Sequence, residues 1–178
     1  MNRRDLIKLI AAATGCALVG MQGALAAPSN RSPFSARDFA MLDEIAETIM
    51  PRTDTPGAKD AAVGAFIARY AAACYEPAQL RSLHDGIGTL DREMRAFAGV
   101  DFLHASDAQR LSLLTGIDRQ ARTQSTDKAP HYFTLMKQLT LYGFFTSEAG
   151  STKVLRYRPI PGKYKGCIPY TKGEPFWA

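Results

Sequence analysis

The sequence predicts a mainly α fold, a small helical domain of about five helices that ends in an extended arm rich in proline, glycine and aromatic residues. Three observations carry that prediction. Between residues 34 and 145 the apolar side chains recur at intervals of three and four, the spacing of one buried helix face. No run of alternating β-branched and aromatic residues interrupts that spacing, so no strand is predicted. From Pro159 onward, Pro159, Pro161, Pro169 and Pro175 alternate with Gly162, Gly166 and Gly173, a pattern that holds neither a helix nor an interior strand. With 178 residues, 46% of them apolar and 22% charged, the chain has the size and balance of one globular domain.

Residues 1–26 read as an export signal. Asn2-Arg3-Arg4-Asp5-Leu6-Ile7-Lys8 precedes an uncharged run, and Ala24-Leu25-Ala26 sets small residues where a signal peptidase cleaves. Paired Arg3 and Arg4, with Leu6 and Lys8 behind them, resemble a twin-arginine (Tat) signal, whose route carries proteins already folded in the cytoplasm. The alternatives are an ordinary Sec signal, an uncleaved anchor helix, and lipoprotein cleavage before Cys16, where Ala13-Thr14-Gly15 lacks the usual leucine. Cleavage removes Arg3, Arg4, Lys8 and Asp5 and lowers the net charge from +5 to +3, a mild excess read as scattered along the chain and too small to argue for nucleic acid. In an oxidising periplasm Cys74 and Cys167 can pair with each other, bridge to another chain, or stay free, and the sequence leaves all three open.

The helical domain is placed at residues 27–158, beginning with a short polar leader. Ser35 is read as the first N-cap, with Asp38 in the first turn and Phe34 set to staple against Phe39. Phe39, Leu42, Ile45, Ala46 and Ile49 form its buried face, and Asp43, Glu44 and Glu47 are assigned to the solvated side. Pro51 closes that helix. Arg52-Thr53-Asp54-Thr55-Pro56-Gly57-Ala58 reads as a rigid interhelical turn in which Asp54 accepts a hydrogen bond from the backbone two residues on. The second helix carries Ala62, Val63, Phe66, Ile67 and Tyr70 and ends near Cys74. Leu80, Leu83, Ile87, Leu90, Met94 and Phe97 draw a longer third helix. Gly86 and Gly88 lie inside it, each costing about 1 kcal/mol relative to alanine, so they mark close packing or a bend.

Ser106-Asp107-Ala108-Gln109 is a capping box for a fourth helix containing Leu111, Leu114 and Ile117, after which residues 119–129 read as a polar loop. Pro130 is placed in the first turn of a fifth helix through Phe133, Met136, Leu139, Leu141 and Tyr142. Gly143-Phe144-Phe145-Thr146-Ser147-Glu148 is a helix-to-turn junction, and a segment with Val154 and Leu155 leads into the arm, residues 159–178 of the same domain.

No catalytic constellation emerges from these elements. His84, His104 and His131 stand apart without ligand-spaced partners and read as surface or helix-end residues, and Ser147 beside Glu148 reads as a cap. Cys/His metal and haem motifs are lacking, and the glycine pair of the third helix follows no strand. Lys163, Lys165 and Lys172 interleave with aromatics, as in a single-stranded nucleic acid groove, but a periplasmic address argues against that. Tyr157, Tyr164, Tyr170, Phe176 and Trp177 gain little when left in water, so the arm needs a surface, either another chain or the protein's own helices.

Ile49-Met50-Pro51 with Thr53-Asp54-Thr55-Pro56-Gly57-Ala58, then Leu141-Tyr142-Gly143-Phe144-Phe145-Thr146-Ser147-Glu148 with Gly150, and finally Leu155, Tyr157, Pro161-Gly162, Tyr164, Gly166, Pro169-Tyr170 and Gly173, resemble the gluconate 2-dehydrogenase subunit 3 family. The likeness runs from about Phe39 to the C-terminus. It implies a small, cofactor-free and non-catalytic subunit of a periplasmic, membrane-associated dehydrogenase complex. A large subunit of the glucose-methanol-choline oxidoreductase type would carry FAD and oxidise a sugar or sugar acid, and a cytochrome c subunit with haem c would take the electrons. The small subunit would bind and stabilise the flavoprotein and escort it through the Tat translocon, with no membrane span in the mature chain. Catalytic, cofactor and metal residues are expected to be absent from this chain, and the partner interface is expected on Tyr142, Phe144, Phe145 and Glu148 together with the arm aromatics. The competing expectation is a stand-alone periplasmic helical binding protein with no dehydrogenase partner. The sugar does not transfer with the fold.

Overall fold

A computed structural model describes residues 33–124, 130–160, 162–163 and 166–177. The export-signal residues Arg3, Arg4, Leu6, Lys8, Ala24 and Ala26, and Tyr164 of the arm, lie outside them. The described chain is mainly helical, as predicted, with five α-helices and one short π-helix.

Helix α1 (Ala36–Ile49) opens on a capping box. The Ser35 hydroxyl accepts the Asp38 amide at 3.2 Å and the Asp38 carboxylate accepts the Ser35 amide at 2.7 Å, which satisfies two donors that a bare helix end would leave unpaired. Helix α2 (Val63–Cys74) starts after Ala62, which has φ 50° and offers no side-chain cap. Its cap comes from α1, where the half-buried Asp43 accepts the Gly64 amide. Burial holds the Asp43 carboxyl above its ordinary range, and that amide offsets part of the shift.

Helix α3 (Pro77–Ala98) begins with Pro77 behind a Glu76–Gln79 capping box and ends at Gly99, whose φ of 73° is the left-handed C-cap that glycine reaches without strain. Helix α4 (Asp107–Gln124) follows the predicted Ser106–Gln109 box, the Ser106 amide donating to Gln109 Oε1 at 2.9 Å. It runs past the predicted loop start at Arg119. Ile117 and Ala121 continue its buried face, while Asp118 pairs with Arg122 one turn on and with Lys137 of the next helix. Helix α5 (Tyr132–Phe145) starts later than Pro130. His131 is the N-cap, its Nδ1 accepting the Phe133 amide at 3.2 Å, so the proline lies outside the helix.

Helix α5 packs against each of the other four α-helices, and α1 and α2 share the most extensive contact. The core fills the space between them with Leu42, Ile45, Ile67, Leu83, Leu90, Met94, Met136 and Phe144, all within 1% of full burial. Phe97 and Leu111, expected on buried faces, are instead more than half exposed. No described helix is long and apolar enough to cross a membrane.

The two glycines of α3 turn out to differ. A Cβ on Gly86 would overlap the Cβ and ring of Tyr132, where α3 meets the start of α5, whereas one on Gly88 would meet only Arg92 Nη1 at 3.7 Å. Gly86→Ala is therefore expected to destabilise by about 1–3 kcal/mol, because the base of a tyrosine side chain cannot swing aside. Gly88→Ala is expected to stabilise by up to about 1 kcal/mol. Urea unfolding of the two variants checks both signs.

Acid sensitivity follows from four groups. Burial alone would raise the Asp91 carboxyl, but the Phe102 amide at 3.0 Å, Arg95 and Arg37 outweigh it and hold it below its usual range. The hydrogen bond from Lys137, with Arg122 beside it, lowers Asp118. His104 lowers Asp101 to about 2. A depressed carboxyl stabilises the fold above the unfolded value near 3.8 and loses that contribution as the pH falls through the folded value. Burial also depresses His131, against an opposing pull from Glu93, so its contribution is complete above 6.5 and is lost as the pH falls through its folded value. Asp43 acts in the opposite sense, but it is one group against four. Urea midpoints should fall slightly between pH 7 and 5 and steeply below 4, and a flat profile from 7 to 3 would contradict these assignments.

Candidate partner interface

The turn between α1 and α2 is held by the carboxylates assigned in sequence to a solvated face. Glu47 accepts the Arg52 amide at 2.9 Å and the Lys59 amide at 2.8 Å, clasping both ends of the turn. Glu44 accepts Lys59 Nζ at 2.6 Å and Arg110 Nη1 at 2.5 Å. Asp60 accepts the Gly57 amide at 2.9 Å and pairs with Arg52. At Gly57 any Cβ would overlap the Glu47 carboxylate and the Arg52 amide, so the close approach requires glycine. Asp43, Glu44 and Glu47 are thus half-buried structural anchors, because the Gly64 amide faces the first, Lys59 and Arg110 the second, and the turn amides the third. Asp54 accepts from the Thr53 hydroxyl at 2.9 Å in place of the predicted backbone donor.

Arg110 is the residue that sequence reading missed. It is buried, and its guanidinium donates to the carbonyls of Phe102 at 2.9 Å and Leu103 at 2.8 Å as well as to Glu44, tying α4 and the preceding turn to α1.

The second motif ends α5. The Ser147 hydroxyl donates to the Phe144 carbonyl at 2.6 Å and accepts the Gly150 amide at 3.0 Å, the predicted cap role. The π-helix Gly150–Val154 follows, with Gly150 seated against the Phe144 carbonyl where a Cβ has no room. This segment and the first turn, far apart in sequence, share an open cleft of about 520 Å³ between Arg52, Thr53, Thr55 and Pro56 on one side and Ala149 and Lys153 on the other.

The predicted contact residues divide by helix face. Tyr142 is 51% exposed and closes an aromatic cluster with Phe66 at 5.7 Å and Tyr70 at 5.6 Å, to which Tyr75 adds an edge contact. Phe145 and Glu148 are exposed. Phe144 is corrected from interface to core: it is 1% exposed, in register with Met136 and Thr140 on the buried face of α5. Cys74 and Cys167 are both exposed and free, so the internal bridge is not formed.

The arm is looped and not simply extended. The Arg156 amide donates to the Phe176 carbonyl at 2.7 Å, its guanidinium lies 5.3 Å from the Trp177 ring centre and reaches Glu174 at 3.4 Å, and the two ends pair as one isolated bridge. Within the loop Tyr170 stacks on Phe176 at 5.3 Å, tilted by 9°. From Tyr157 to Gly173 every described residue is exposed, so this stretch does not wrap the protein's own helices. Tyr157, Ile160, Tyr170, Phe176 and Trp177 are each more than half exposed.

Charge is concentrated in the arm and the segment leading into it, and the reading of a scattered excess is corrected. Residues 151–178 hold Lys153, Arg156, Arg158, Lys163, Lys165 and Lys172 against Glu174 alone, an excess of +5 that equals the net charge of the whole chain.

The sequence model described as gluconate 2-dehydrogenase subunit 3 matches residues 36–162, which takes in the turn, the α5 junction and the first residues of the arm. No curated protein and no solved structure matches the chain.

Proposed function

From the chain's membership of the gluconate 2-dehydrogenase subunit 3 family, a family of subunits of an oxidoreductase complex, we propose that it serves as the non-catalytic small subunit of a periplasmic, FAD-dependent dehydrogenase of a sugar or sugar acid. It binds and stabilises a large flavoprotein of the glucose-methanol-choline type, a cytochrome c subunit takes the electrons, and Arg3 and Arg4 direct the folded pair through the Tat translocon. The observation that carries this reading is the arm, whose aromatic side chains stay in water although each would bury a large apolar area on docking. Tyr142 and Phe145 extend the same chemistry onto α5.

A tagged copy purified from its native host is expected to bring down a yellow protein of much larger mass, and a colourless monomer would overturn the proposal. In the same strain, Arg3→Lys with Arg4→Lys is expected to trap the dehydrogenase activity in the cytoplasm. Unchanged periplasmic activity would remove the escort role while leaving the subunit role in place.

A further inference from the structure

We propose that the arm recognises its partner by charge as well as by shape, its target being an acidic face of the large flavoprotein subunit that offers pockets for aromatic side chains. This rests on the subunit reading above and adds the chemistry of the surface that receives the arm.

The argument starts from the asymmetry of charge. The arm region carries the excess of six basic residues over one acidic, while residues 33–150 hold fifteen Asp and Glu against twelve Lys and Arg. An acidic partner therefore attracts the C-terminal region and repels the rest, so the encounter is oriented before contact. Arg158, Lys163 and Lys172 are exposed among the aromatics they interleave, where their charge is directed outward. The loop is also preshaped. The Arg156–Trp177 closure and the Tyr170–Phe176 stack fix its ends and one face before docking, which limits the ordering that association has to supply. Basic residues beside exposed Trp, Tyr and Ile would suit an anionic lipid surface too. Membership in a family of complex subunits favours the protein surface.

The test uses the full chain in its native host. Tagged wild type is compared with a variant carrying Arg158→Gln, Lys163→Gln and Lys172→Gln, and with a control carrying Arg69→Gln, Arg81→Gln and Arg119→Gln, which loses the same charge from exposed positions on the helices. Flavin absorbance retained per tagged chain is read across a sodium chloride series, with circular dichroism to show that all three fold. The arm variant should retain at least tenfold less flavoprotein than wild type at low salt, the control should match wild type, and wild-type retention should decline as salt rises. If the arm variant retains as much as wild type, the charge proposal falls and the subunit reading stands. A wild type that retains none at any salt overturns both. Equal retention by all three, combined with loss of binding to phosphatidylglycerol vesicles in the arm variant alone, would overturn the protein target and make the arm a lipid-binding element.

Discussion

Replacing Arg110 by alanine is expected to lower the unfolding free energy by about 3 kcal/mol. Two carbonyls, Phe102 and Leu103, lose their guanidinium donors at 2.9 and 2.8 Å. Each buried acceptor left unpaired costs about 1–3 kcal/mol, and the lower end applies here because local relaxation admits water. Glu44 is less affected. It keeps Lys59 at 2.6 Å, and its side chain is 23% exposed, so its charge is not stranded. The contact of the guanidinium with the Phe102 ring, 5.7 Å from its centre, disappears as well. Arg110→Lys should recover less than half of the loss, since an ammonium is a point charge and cannot reach two carbonyls and a carboxylate in one planar fork. Urea unfolding at pH 7 measures both variants, and a loss below about 1 kcal/mol for the alanine variant would show that Arg110 does not hold α4 to α1.

What was legible in the sequence was local. Ser35 with Asp38, and Ser106 with Gln109, are three-residue relations whose geometry is fixed once a helix starts: the second box forms as read, and Ser35 is the N-cap it was read to be, with Asp38 completing a box that was not read. The buried faces of α1 and α3 followed from spacing in the same way, Phe97 excepted. Phe144 was equally legible, since Met136, Thr140 and Phe144 recur at intervals of four. Reading the aromatic run as one patch hid that face, which Tyr142 and Phe145 do not share. The length of α4 was hidden by the polarity of residues 119–124, although Leu114, Ile117 and Ala121 carry the stripe onward.

The relations that were not legible join residues far apart in the chain. Glu44 with Arg110, 66 residues on, and Asp43 capping a helix it does not belong to depend on how α1 lies against its neighbours. The same limit applied to the turn. A cluster of three carboxylates reads as solvated until the amides of Arg52 and Lys59 are brought over Glu47, that of Gly64 over Asp43, and Lys59 and Arg110 over Glu44. Closure of the arm by Arg156 and Trp177 is likewise tertiary, as proline and glycine fix where the chain bends but not where it returns.

Deletion of residues 159–178 is expected to weaken partner binding at least a hundredfold while leaving the helical body folded. The two halves of that expectation rest on separate observations. Among the described residues every buried core side chain lies between Phe34 and Phe144, so the deletion removes none of them, and the thermal midpoint should move by no more than a few degrees. The arm, by contrast, holds Tyr170, Phe176 and Trp177, each more than half exposed, of the residue types that anchor interfaces. Loss of two such anchors at about 2 kcal/mol each corresponds to roughly a thousandfold in affinity, and a hundredfold allows for contacts retained by Tyr142 and Phe145. Trp177→Ala should give a substantial part of the effect alone, because it removes one anchor and opens the Arg156 closure that shapes the rest. Co-purified flavin per tagged chain, read beside the melting curve, distinguishes the outcomes. A complex that survives the deletion would place the interface on the Tyr142 face or the cleft between Arg52 and Lys153, whereas a body that unfolds would make the arm part of the fold.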